Sequence, residues 1–120
     1  MRFSIAVSWI VMIAILHAIP GRDLASYSWL DFFQLDKLIH AIVFLVGIFL
    51  WLWSYSKQYF EQYKRWVVVG FLCYGIILEL LQGFIFLERS ADILDFLADA
   101  IGVFLGMKLF QKYLRMSTEY

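Results

Sequence analysis

Four long apolar stretches crowded into 120 residues constrain this chain more than any other feature. They occupy residues 3–19, 35–55, 66–87 and 93–110. A bilayer-crossing helix needs roughly 20 mainly apolar residues, and each stretch reaches or approaches that length. Hydrocarbon offers the backbone no hydrogen bonds, so only helices and closed barrels can span it. Unbroken apolar length without alternation reads as helix, and a barrel needs at least about eight short alternating strands. The expected fold is therefore all-α: a polytopic membrane protein, a four-transmembrane-helix bundle forming one domain over residues 1–120.

Composition agrees. Hydrophobic residues make up 63% and charged residues 17% of the chain, against about 45–50% and about 25% in soluble domains. The formal net charge is zero, so no basic field points to nucleic acid. Cys73 is the single cysteine; an internal disulfide is excluded, and its place inside an apolar run reads as packing. The first stretch begins like a signal peptide, at Met1 and Arg2. Its end lacks small residues at both cleavage positions, so a retained helix is expected, stopped by Pro20 and Gly21.

Lys and Arg in short flanks set orientation. Arg2, Lys57, Lys64, Arg65, Lys108, Lys112 and Arg115 fall on one side, and Arg22, Lys37 and Arg89 on the other. The richer side is expected in the cytoplasm, with both termini. Trp51, Trp53, Tyr55, Tyr59, Tyr63 and Trp66 form an aromatic belt there. On the outer side, the 20–34 connection carries Tyr27, Trp29, Leu30, Phe32 and Phe33. It reads either as a segment in the headgroup layer over the bundle mouth or as a loop with aromatic anchors.

Against this apolar background, ionisable residues inside the spans cost about 2.5–3.5 kcal/mol each on insertion scales. Asp36 and His40 are four apart, Glu79 and Gln82 three apart, and Asp92, Asp95, Asp99, Gly102 and Gly106 follow at spacings of three or four. Each set therefore shares one helix face. At about 1.5 Å per residue, Glu79 and Asp99 lie roughly 10–12 Å below the outer ends of their helices. A polar cavity facing the outer side is expected, built from the second, third and fourth helices. The pair Gly102 and Gly106 reads as a close helix–helix approach, with Gly47 and Gly75 as further candidates.

The same residues carry a family resemblance. His17, Pro20 and Gly21 close the first span, and Asp36, Lys37 and His40 open the second. Glu79 and Gln82 follow in the third, then Arg89, Ser90, Asp92, Asp95, Asp99, Gly102 and Gly106. In this order the chain resembles the VanZ-like family of small bacterial membrane proteins over nearly its whole length. It departs at Asp99, where the family commonly has Asn, and in the loop after Gly21, which lacks a proline often found there. The resemblance implies a bacterial inner-membrane protein with a cell-envelope role, in a family named for a teicoplanin-resistance factor, and so a link to antibiotic resistance. It implies no reaction.

Three readings of the polar residues follow. In the first, they bind or process a polar headgroup of a lipid-linked or glycopeptide-related molecule. Arg22, Lys37 and Arg89 then seek phosphate, with Gln82, Asp92, Asp95 and Asp99 as further ligand-binding residues. His40, charged and oriented by Asp36, and Glu79 are the candidate catalytic acids and bases. Five carboxylates face three cations in this set, and a divalent cation such as Mg²⁺ or Ca²⁺ on Asp92, Asp95 and Glu79 would restore balance. In the second, they form a proton- or ion-coupled transport path. In the third, they only stabilise the bundle of an accessory protein. Membrane lipid is the expected partner, with a lipid-linked or phosphate-bearing ligand as a further candidate; enzyme status and oligomeric state stay open.

Overall fold

The computed structural model describes residues 1–18, 35–85 and 93–117. Among these residues the fold is all-helical. Helix α1 spans Arg2–Ala18, α2 Leu35–Ser54, α3 Phe60–Ile85 and α4 Ile93–Met116, with a 3₁₀ turn at Lys57–Tyr59 leading into α3. Helix α3 starts six residues before the apolar stretch at 66, and α4 runs six residues past its end at 110. The added turns carry Glu61, Gln62, Lys64, Gln111, Lys112 and Arg115. These are good helix formers whose long side chains keep their charges in water while the backbone stays bonded. Apolar length thus measures the part of a helix that suits lipid, not the whole helix.

The polarity of the bundle is inverted relative to a soluble domain. Ile5, Val11, Ile42, Ile77, Phe84, Ile101 and Leu105 face outward, whereas His17, His40, Glu79, Gln82, Asp95 and Asp99 are buried. An apolar exterior around a partly polar interior suits hydrocarbon as the surrounding solvent. Helix α2 and the segment Lys57–Phe84 are each long and apolar enough to cross a membrane, both with mean hydropathy 2.0. Cys73 does not pack inside, as its apolar neighbourhood suggested; it sits on the outward face of α3.

Helices α2 and α4 form the most extensive pair, and glycine makes that possible. A Cβ at Gly102 would overlap the Ala41 carbonyl oxygen of α2, and one at Gly106 would overlap the Leu45 carbonyl. Gly47 and Gly75 differ, since they face side chains rather than a neighbouring backbone. Around this seam Ile13, Phe44, Ile48, Leu52, Val103 and Phe110 form the apolar core.

One end of the bundle gathers cations and aromatic rings. The Arg2 guanidinium lies 4.6 Å from the Trp53 ring, Tyr55 stacks on Tyr63 at 5.4 Å, and Lys57 donates to the Ser117 hydroxyl while lying over Tyr113. The start of α1, the α2–α3 connection and the end of α4 therefore share that end. The opposite end carries the polar residues.

Candidate functional site

Each of the four helices delivers one side chain to a buried centre: His17 from α1, His40 from α2, Glu79 from α3 and Asp99 from α4. One donor atom from each lies within 4.8 Å of the other three. Asp99 is only 1% exposed, and the other three are 5–6% exposed. Helical periodicity makes the convergence possible, because each residue lies on the stripe its helix turns inward.

Hydrogen bonds order the centre. The His17 Nδ1–H donates to the Ile13 carbonyl one turn back, at 2.9 Å; the lone pair of that ring therefore sits on Nε2, which is buried. The His40 Nδ1 is 2.9 Å from Asp99 Oδ1, and the two imidazoles meet edge to face at 4.7 Å. Asp99 Oδ2 is buried with no hydrogen-bond partner among the described residues. Gly75 leaves room for it: a Cβ there would stand 3.3 Å from Oδ2 and 3.5 Å from Phe44. Phe44, fully buried, sets its ring edge to face against His17 at 6.0 Å.

Toward the rim the site becomes wetter. Asp36 has a side chain 44% exposed and places Oδ1 3.9 Å from His40 Nε2. Lys37 and Asp95 form an ion pair at 3.1 Å. His40 thus stands between a buried carboxylate that it contacts directly and an exposed one just beyond hydrogen-bond reach.

The structure regroups the sequence expectations. Glu79, His40 and Asp99 come together as expected. Asp36, expected to be the partner that orients His40, is the more distant one; Asp99 holds the imidazole, because the α2–α4 seam brings those two faces into contact. Gln82 donates to the His17 carbonyl at 2.8 Å, so it ties the end of α1 to α3 by satisfying a terminal carbonyl. Lys37 is engaged by Asp95 and offers less to a ligand than its charge suggested. Of the expected cation set, Glu79 groups with the two histidines and Asp99, and Asp95 lies with Asp36 and His40. Arg22, Arg89 and Asp92 fall outside the described residues. His17, given no role by the spacing argument, proves to be a full member of the centre. Its signal was present: a histidine in the last turn of an otherwise apolar helix.

An open furrow of about 380 Å³ lies elsewhere, lined by Trp51, Tyr55, Tyr63, Trp66 and Phe71 among others. Those residues belong to the cation-and-aromatic end, so the furrow and the polar centre are separate features.

No curated protein and no solved structure matches the chain. A family model described as VanZ/LLP1 matches residues 3–115. With nearly every residue of the bundle inside that match, the chain belongs to the VanZ/LLP1 family and is a cell-envelope membrane protein of that kind.

Proposed function

We propose that the buried centre acts on a polar headgroup presented from the outer leaflet, with His40 and Glu79 as acid–base groups and Asp99 as the residue that orients His40. The observation that carries this reading is the meeting of His17, His40, Glu79 and Asp99, one from each helix, beside the apolar core of Ile13, Phe44, Ile48, Leu52, Val103 and Phe110. Four ionisable groups are far more than packing requires, and intramembrane ionisable residues mark functional sites by default. The His40 ring, bonded to buried Asp99 and 3.9 Å from exposed Asp36, needs only a small movement of Asp36 to pass on the proton that acid–base chemistry transfers. Arg22 and Arg89, which the sequence puts between the helices, are the cations left for a lipid-linked phosphate, since Lys37 is paired with Asp95.

The test uses cells in which this protein is the only source of the function. Glu79→Gln, His40→Gln and Arg89→Gln should each insert at wild-type levels and lose teicoplanin protection, down to that of cells lacking the gene. Removal of a general acid or base costs about 10²–10⁴ in rate, enough to abolish a phenotype. Retained protection in all three variants rules the reading out.

The outward orientation of the centre rests on the seven-to-three division of Lys and Arg. With Cys73 replaced by serine, a Ser90→Cys thiol should react with a membrane-impermeant reagent in intact cells. A Lys64→Cys thiol should react only after lysis; the reverse pattern inverts the topology.

A further inference from the structure

We propose that His17, His40, Glu79 and Asp99 together hold one divalent transition-metal ion, for which zinc is the best fit. The proposal rests on the headgroup reading only for the place of the site: with the ion bound, His40 and Glu79 are its ligands, and their acid–base roles belong to the metal-free centre. Two imidazole nitrogens and two carboxylate oxygens form the donor set. Imidazole favours zinc and its first-row neighbours, whereas Mg²⁺ and Ca²⁺ prefer oxygen-only shells.

The arrangement around the donors is that of a metal centre. A metal-bound histidine almost always donates its other ring N–H to a carbonyl or carboxylate. His17 does so through Nδ1 to the Ile13 carbonyl at 2.9 Å, which puts the ring's lone pair on buried Nε2. His40 has the same option: with Nδ1 on the metal, Nε2–H faces Asp36 Oδ1, now 3.9 Å away. Asp99 adds an independent sign, since its Oδ2 is buried and without a hydrogen-bond partner among the described residues.

Four donors about 2.1 Å from a tetrahedral ion stand about 3.4 Å from one another. The donor atoms here lie within 4.8 Å of one another, so side-chain movements of about 1 Å complete the shell. The ion takes the place of the proton shared by His40 Nδ1 and Asp99 Oδ1, and that proton leaves to solvent. The two carboxylates then balance the charge of the ion. Because each ligand comes from a different helix, the ion also ties all four together.

The experiment uses the full chain without a histidine tag, purified in detergent, stripped with chelator and reloaded with zinc chloride or cobalt chloride. Metal analysis after gel filtration should give about one zinc per chain, and cobalt should show the intense visible absorption of a four-coordinate site. Asp36→Asn should weaken binding about 10-fold, and Glu79→Gln or His17→Gln by more than about 100-fold. Failure of wild-type protein to retain zinc, a cobalt spectrum of the hydrated ion, or Glu79→Gln binding as tightly as wild type would each overturn the proposal. The cobalt spectrum needs only wild-type protein, so it decides the matter even if ligand variants fail to fold. Metal content and teicoplanin protection are separate readouts. A metal-free protein whose Glu79→Gln variant loses protection refutes the metal alone, and a zinc-bound protein with protection intact in the Glu79, His40 and Arg89 variants refutes the headgroup role alone.

Discussion

Gly102→Val is expected to leave almost no folded protein in the membrane, whereas Gly70→Val is expected to behave like wild type. The contrast follows from what each new side chain meets. A Cβ at Gly102 collides with the Ala41 carbonyl oxygen, while one at Gly70 meets nothing within 4 Å. Overpacking a core typically costs about 1–3 kcal/mol, and that range describes side chains that can yield. The Ala41 carbonyl is fixed in the backbone of α2, so the helices must separate, and the whole α2–α4 seam goes with them. In hydrocarbon no hydrophobic effect drives helices back together, so loss of close packing removes the main attraction. Separation would also part His40 from Asp99, which the seam holds at 2.9 Å. Yield of monodisperse protein on gel filtration and the thermal midpoint both report the effect. Equal behaviour of the two valine variants would show that the seam does not run through Gly102.

The second large effect concerns the His40–Asp99 pair. His40→Leu should destabilise the bundle by about 3 kcal/mol, because it strands a buried carboxylate. Asp99→Leu should cost a similar amount by leaving the imidazole without its acceptor. Replacing both partners with apolar residues of similar volume is often neutral or stabilising, so in chelator-treated, metal-free protein His40→Leu/Asp99→Leu should recover most of the lost stability. Denaturant or thermal unfolding in a fixed detergent measures this cycle. If the double variant is instead as unstable as the sum of the singles, the two residues are not energetically paired.

Much of this architecture was legible in the sequence, for identifiable reasons. Four apolar runs specify four helices because a spanning segment must bond its own backbone. Gly102 and Gly106, four apart, announced a close approach, and the spacing of Asp36 from His40 and Glu79 from Gln82 put each pair on one face. Periodicity, however, says which side chains share a helix face and nothing of which faces meet. That is why Asp36 was read as the partner of His40 when the residue across the seam, Asp99, holds it. It is also why Gln82 was grouped with the ligands, although it bonds the last turn of α1. His17 escaped because a single histidine has no spacing to betray it, and only the packing of α1 against the other helices brings it to Glu79 and Asp99. The helix ends were misjudged where Glu61, Lys64, Lys112 and Arg115 extend α3 and α4 beyond lipid, since hydropathy records solvent preference and not backbone conformation.

The four buried side chains either perform a function, as proposed, or merely brace the bundle. His40→Leu/Asp99→Leu separates the two, because it removes the polar pair while keeping the packing. The decisive measurement is teicoplanin susceptibility of cells carrying this double variant at wild-type membrane level. Susceptibility equal to that of cells lacking the gene is the predicted result. Protection equal to wild type would contradict the account and reduce the centre to structural support.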